Sequence, residues 1–314
     1  MKTPPDITLD QIRPIIRGLG TFDAVALTPL RGGSTKVWRI DLAKGDPLVL
    51  KTYPEGMGWA PAKEAYAAGL LRDFPLPVTR YLLVDDTKAK VPVSFAIANY
   101  LPGKPLRDLK SEPDIKDAYR QMGALIRHLH DTQFGAYGYI GHEGIIHPQP
   151  NHTAHMRERV DEAFRQFRHF GADAVLADRL ERIVEERFAI FTHSNGAVFA
   201  HDDVQQGNVL AVRGTDGRLE LTGLIDFGNV RAADPVYDFA KCLFCAESED
   251  PRCRAPMLEG YGPLPHPRPE EAMWLYTLFH RMSMWWWLRF VNAIPTAAEP
   301  HGIIDDLRKM VDEV

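Results

Sequence analysis

The segment Phe199-Ala200-His201-Asp202-Asp203-Val204-Gln205-Gln206-Gly207-Asn208-Val209-Leu210 is followed, eighteen residues after Asn208, by Asp226 in Ile225-Asp226-Phe227-Gly228. Apolar runs at 197–201, 209–212 and 219–225 read as short strands, and Asp216-Gly217 between the last two is a hairpin signal. The hairpin brings Asn208 and Asp226 together from opposite ends. An amide oxygen and a carboxylate are hard donors of the kind Mg²⁺ prefers. Asp203 precedes Asn208 by five positions on the same loop, where it can accept a hydrogen bond from a hydroxyl without binding metal. A single acid of this kind would be only a loop cap or turn former. The joint spacing, with strands at the right places, points to a site.

Upstream residues supply what phosphoryl transfer needs, which is mainly charge neutralisation and alignment. Leu48-Val49-Leu50-Lys51 ends an apolar strand in a lysine able to reach nucleotide phosphates, and Glu64, thirteen residues on, can fix it as an ion pair. The alternative is a surface lysine and a surface glutamate. Gly32, Gly33 and Ser34 lie in a turn whose glycines permit close backbone approach to phosphate. That turn matches neither Gly-x-Gly-x-x-Gly nor a Walker A loop, which argues against a dinucleotide or P-loop fold. Asn99 and Leu101, at Asn99-Tyr100-Leu101, are placed to offer backbone groups to an adenine edge.

Periodicity divides the chain. Strand-like segments at 25–30, 36–42, 47–51, 77–84 and 93–100 surround a short helix at 62–72. Beyond Pro102-Gly103, helical spacing dominates at 115–129, 156–170, 175–188, 236–244, 271–290 and 303–311. The expected division is a β-rich 1–101 and a mainly helical 102–314, an α+β protein. Net charge follows it, +3 for residues 1–101 and −8 for 102–314, within an overall −5.

That balance argues against a nucleic-acid binder. The longest stretch free of Asp, Glu, Lys and Arg is the 14 residues of 188–201, too short to span a bilayer, so no membrane partner is expected. The first residues carry no apolar signal segment, and three cysteines are an odd number, both consistent with a cytoplasmic protein.

The residues of 201–210 and 224–238 resemble the aminoglycoside phosphotransferase family and its relatives acting on choline, homoserine and similar metabolites. Ala98-Asn99-Tyr100-Leu101-Pro102-Gly103 and Ile126-Arg127-His128-Leu129-His130 add to the likeness, which runs from about residue 27 to about 244. The resemblance implies a bilobal protein-kinase-like fold, ATP bound between the lobes with Mg²⁺, and transfer of the γ-phosphoryl group to a small-molecule hydroxyl. By position it implies that Asp203 is catalytic, Asn208 and Asp226 bind metal, and Lys51 binds phosphate. His201 and Asp238 support the site, Asp238 by hydrogen bonding the catalytic-loop backbone. Many members have Gly where this chain has Asp202. The long activation segment of protein kinases has no counterpart, since Asp234 follows Gly228 by six residues. A protein substrate is therefore not expected.

The −8 of residues 102–314 favours a cationic, aminoglycoside-like acceptor, unless it is merely a solvated surface. A metabolite kinase of choline, homoserine or amino-sugar type is the rival, and a non-catalytic nucleotide-binding module a third reading. The presence of Lys51, Asp203, Asn208 and Asp226 together speaks against the module. The aromatic segment 273–290 reads as core, with Trp285, Trp286 and Trp287 as the expected exceptions. His142, His147, His152 and His155 read as a loop or lid rather than a metal site, and Cys242 and Cys245 as buried thiols. The sequence fixes no oligomeric state.

Overall fold

The computed structural model describes residues 3–32, 35–291 and 302–314. The chain runs α1 (Leu9–Arg17), β1 (Ala24–Leu30), β2 (Lys36–Leu42), β3 (Leu48–Thr52), α2 (Ala60–Gly69), β4 (Tyr81–Asp85), β5 (Phe95–Asn99) and β6 (Lys104–Pro105). Then come α3 (Ile115–Leu129), β7 (Gln133–Phe134), β8 (Tyr137–Ile140), β9 (Ile145–Gln149), α4 (His152–His169) and α5 (Ala174–Arg187). It ends with β10 (Ala197–Ala200), β11 (Val209–Arg213), β12 (Leu219–Leu224), β13 (Arg231–Ala233), α6 (Pro235–Glu249), α7 (Arg254–Tyr261), α8 (Pro269–Phe290) and α9 (Ile303–Asp312). This is the expected α+β class. Among the described residues no helix is long and apolar enough to cross a membrane.

Two compact units are present: Met1–Ala118 with Ile140–Gly144 and Gln206–Val230, and Tyr119–Tyr139 with Ile145–Gln205 and Arg231–Val314. The cut differs from the 1–101/102–314 division, and hydrogen bonding gives the reason. Immediately after Pro102-Gly103, β6 pairs with β11, and Thr222 Oγ1 donates to Pro102 O at 2.7 Å. The hairpin β11–β12 therefore joins the first unit.

In that unit an antiparallel sheet has the order β1-β2-β3-β5-β4. β3 buries Leu48, Leu50 and Thr52 on one face and turns Val49 and Lys51 to the other, as a period of two requires. The first face meets Trp38, Ile40, Phe95 and Ile97 and is covered by Ile12, Ile15 and Ile16 of α1. No reading of the sequence foresaw α1. Thr8 and Gln11 form a capping box at its start, but Pro14 inside it breaks the pattern a helix normally shows.

The second unit holds the other helices around a sheet ordered β7-β10-β13-β8-β9. Here α3 and α7 approach backbone to backbone. A Cβ at Gly123 would sit 2.1 Å from Met257 O, and one at Gly260 1.9 Å from Arg120 O, so only glycine fits at either place. On α8, Tyr276, Phe279 and Trp285 are buried, and Phe167 meets Trp285 edge-on at 4.8 Å. Trp285 is thus core, contrary to its expected exposure, whereas Trp287 is 43% exposed.

The histidine-rich segment is not one loop. His152 and His155 lie on α4 and are buried, with His152 Nε2 2.9 Å from Tyr276 Oη. Burial holds His152 near pKa 3, His155 near 4 and His280 near 3, with Arg159 and Arg231 adding to the effect at His155 and Asp202 opposing it at His280. Depressed histidines stabilise the fold above the unfolded value near 6.5 and lose that contribution as pH falls toward the folded values. Urea unfolding is therefore expected to show stability falling from pH 6.5 to 4, with each histidine adding up to about 1.4 kcal/mol per pH unit. A flat profile over that range would contradict their burial as neutral rings.

Candidate active site

Lys51 leaves β3 on the face opposite the α1-covered core, and Glu64 leaves α2 toward it. Lys51 Nζ donates to Glu64 Oε2 at 2.8 Å and to Asp226 Oδ1 at 2.9 Å. The Glu64 carboxylate is almost wholly enclosed, 3% exposed, and Tyr53 Oη and Tyr81 Oη donate to its Oε2 at 3.1 and 2.6 Å. Burial opposes the Lys51 charge, yet Asp226 and Glu64 outweigh it and hold the ammonium well above its ordinary pKa. Burial, with Glu64 beside them, pushes both tyrosines up, so they remain hydroxyl donors. Three of the expected residues are brought together here.

Asn208 and Asp226 stand at the open end of β11–β12. Ile225 N donates to Asn208 O at 3.0 Å, closing the hairpin beside both side chains. Asp226 has φ 68°, a left-handed conformation that Asp tolerates better than most residues. Buried Phe227 opens the short 3₁₀ turn Phe227–Asn229, and Lys63 Nζ donates to Gly228 O at 2.6 Å. With Asp226 paired to Lys51, two positions on either side of Phe227, Asp226 and Gly228, are tied to lysines of the first unit's sheet and helix. The Asp226 side chain is still 47% exposed. An amide oxygen and a carboxylate fit a divalent ion whose other positions go to phosphate and water. Among the described residues no group of three or more His, Cys, Asp or Glu is placed to hold a metal.

Asp203 belongs to the second unit, on the loop after β10. A chain of buried bonds fixes that loop. Tyr261 Oη, carried on α7 where Gly260 allows the close approach, lies 2.9 Å from His130 Nδ1. His130 Nε2 lies 2.9 Å from Asp238 Oδ2, and Asp238 Oδ1 accepts from Asp202 N at 2.7 Å. A carboxylate can only accept, so His130 carries its proton on Nε2 and Nδ1 accepts from Tyr261. One turn further along α6, Cys242 Sγ accepts from Val204 N at 3.4 Å. The backbone on both sides of Asp203 is thus anchored to α6, and His201 is wholly buried behind it.

Asp202, in the middle of the triplet, has φ 60°, where glycine is the unstrained choice. Its carboxylate forms a buried ion pair with Arg231 at 2.8 Å, an interaction glycine cannot make. Arg231, whose charge is reinforced by this pairing, stands in turn against the ring of Tyr237.

The remaining expected residues divide. Gly32 sits in a tight turn, where a Cβ would meet Thr35 O at 2.4 Å, while Gly33 and Ser34 lie outside the described residues. Asn99 N donates to Arg80 O, Asn99 Oδ1 accepts from Arg80 N at 2.6 Å, and Tyr100 N donates to Pro47 O. Those groups are used inside the sheet, so Leu101 is the member of the triplet whose N–H is not spent in these bonds. Leu101 is buried over Gly223 of β12, where a Cβ would meet its Cδ1 at 2.8 Å. Tyr53, Tyr81, Lys63, Tyr261 and Arg231 were not foreseen. None is set in a local pattern that marks it; Lys63 alone had a cue, as the neighbour of Glu64.

Residues 26–274 match the model of the phosphotransferase enzyme family. No curated protein sequence matches. Solved structures do, at low identity. A thermostable mutant of aminoglycoside phosphotransferase APH(4)-Ia, in ternary complex with ADP and hygromycin B, superimposes with TM-score 0.69 at 17% identity, covering 94% of this chain and 97% of that one. A putative fructosamine-3-kinase from Thermobifida fusca gives TM-score 0.67 at 17% identity, with coverage of 96% and 99%. The GDP complex of aminoglycoside 2'-phosphotransferase-IIIa gives 0.62 at 16%, with coverage of 97% and 96%. These likenesses show a shared kinase-like fold.

Proposed function

The chain belongs to the phosphotransferase enzyme family, and we propose that it is an ATP- and Mg²⁺-dependent kinase that phosphorylates a hydroxyl of a small molecule in the cytoplasm. The observation that carries this reading is the Lys51–Glu64–Asp226 network, in which one buried carboxylate and two tyrosines aim an ammonium at an exposed carboxylate. Complexes of similar structures with ADP, AMP-PNP and GDP support nucleotide use. In this reading residues 1–101 bind nucleotide and 102–314 carry catalysis and the acceptor.

Lys51 holds the α- and β-phosphates, and Gly32, Gly33, Ser34, Asn99 and Leu101 contribute backbone around the nucleotide. Asn208 and Asp226 hold Mg²⁺, which when bound neutralises phosphate charge. Asp203 accepts the hydroxyl proton as the acceptor oxygen bonds to the γ-phosphorus and the bond to the β-bridging oxygen breaks, releasing ADP. His201 and Asp238 keep the loop in place. The net charge of residues 102–314 favours a cationic, aminoglycoside-like acceptor, which the hygromycin B complex of a similar structure supports.

Asp226→Ala is expected to weaken calorimetric binding of Mg·AMP-PNP at least tenfold, while AMP-PNP without metal binds as before. Unchanged Mg·AMP-PNP affinity would remove Asp226 from the metal site.

A further inference from the structure

Lys63 precedes Glu64 on α2 and is 1% exposed, a depth at which lysine is rarely found. Its Nζ donates to Gly228 O at 2.6 Å, across 165 residues of chain, and lies 6.0 Å from the centre of the Trp59 ring. Enclosing a long cationic side chain costs solvation and rotamer freedom. A charge-assisted bond to a main-chain carbonyl offsets part of that cost and fixes the direction of the carbonyl.

The carbonyl belongs to a turn that needs holding. Asp226 enters it at φ 68°, a conformation that persists in a non-glycine residue only where the surroundings impose it. Before the turn, Ile225 N donates to Asn208 O at 3.0 Å. Within it, Asp226 Oδ1 accepts from Lys51 Nζ at 2.9 Å. After it, Lys63 holds Gly228 O. Gly228 also lies against both acids of the network, since a Cβ there would come to 3.5 Å from Asp226 Oδ1 and from Glu64 Oε1.

These anchors fare differently when nucleotide arrives. In the kinase reading Lys51 turns to phosphate and Asp226 to Mg²⁺, so the contact between them is given up or shared. Lys63, at 1% exposure, is closed to ligand and keeps its hold. We infer that Lys63 is a positioning residue of the metal site. By holding the Gly228 carbonyl it keeps the left-handed turn in place, and with it the Asp226 carboxylate aimed at the metal, once Lys51 has turned to the phosphates. This deepens the kinase reading and rests on it. Lys63 touches neither metal nor nucleotide and acts through Asp226.

The test is calorimetric titration of AMP-PNP, with and without Mg²⁺, into wild type, Lys63→Met, Asp226→Ala and the double variant. Lys63→Met is expected to weaken Mg·AMP-PNP binding by about tenfold or more, the usual loss when the group orienting a metal ligand is removed. Metal-free AMP-PNP should stay within threefold of wild type. In the Asp226→Ala background the same change is expected to add less than threefold, because the residue it acts through is gone. A merely structural lysine would lower both affinities together, and independently of Asp226. Lys63→Gln, which keeps a donor on a shorter side chain, is expected to fall between wild type and Lys63→Met, and it replaces Lys63→Met if urea midpoints show that variant unfolded. Unchanged Mg·AMP-PNP affinity, equal losses with and without metal, a full tenfold loss on top of Asp226→Ala, or unfolding of both Lys63 variants overturns the inference. A wild type that binds no Mg·AMP-PNP strikes the kinase reading instead, so the two failures are distinguishable.

Discussion

Asp203→Ala is expected to lower phosphoryl transfer by about 10²–10⁴-fold, the usual worth of a positioned general base, with Mg·AMP-PNP affinity within about threefold of wild type. The structural basis is that the backbone on either side of Asp203 has anchors of its own. Asp238 takes Asp202 N, Cys242 takes Val204 N, and His130 and Tyr261 brace Asp238 from behind. Removing the carboxylate is therefore expected to delete the proton acceptor while these anchors keep the backbone in place. Nucleotide contacts, assigned to other residues, are expected to survive. The check is a quenched assay of ADP formation with saturating ATP and each candidate acceptor, beside calorimetry with Mg·AMP-PNP. Turnover within tenfold of wild type would remove Asp203 from the role of base. Loss of nucleotide binding together with turnover would mean that the loop's order depends on the carboxylate after all.

How much of this was legible follows from what kind of interaction each residue makes. Asn208 and Asp226 close a hairpin of adjacent strands, and hairpins write themselves in turn residues and alternation. Lys51 and Glu64 are thirteen residues apart, on a strand and the next helix, and their meeting could be read from the apolar run that ends in a charge. Tyr53 and Tyr81 could not, because each reaches Glu64 through the fold of the sheet rather than through any spacing along the chain. The same holds for Tyr261, which reaches His130 across 131 residues.

Breakers misled the reading elsewhere. Pro14 hid α1, and Pro256 with Gly260 hid α7, although Gly260 is what lets α7 lie against α3. Asp202 looked like variation at a glycine position. Its positive φ shows why glycine suits the place, and its ion pair with Arg231 shows what this chain gains by departing from it. A substitution that costs backbone strain and recovers it through a buried charge pair leaves no trace in a one-dimensional pattern.

Lys51→Met is expected to be the most destabilising of these substitutions, by about 3–5 kcal/mol, because it strands a buried carboxylate. Glu64 would keep the Tyr53 and Tyr81 hydroxyls but lose its only countercharge among these contacts, at 3% exposure. Asp226 would be affected far less, being 47% exposed and open to water. The double variant Lys51→Met/Glu64→Leu should recover most of the loss, since neither charge remains to be desolvated. Urea midpoints of the wild type, both single variants and the double variant give the coupling directly. The pH dependence has a definite sign. Lys51 has its pKa raised in the fold above the ordinary 10.5, so its contribution is fully present below that value and is lost only as pH rises through the folded one. The gap between wild type and Lys51→Met is therefore expected to stay constant from about pH 7 to about pH 10 and to narrow in stronger alkali. Additive single-variant effects, with no recovery in the double variant, would show that the ammonium and the carboxylate do not depend on each other, and the network would lose its place as the structural basis of nucleotide binding.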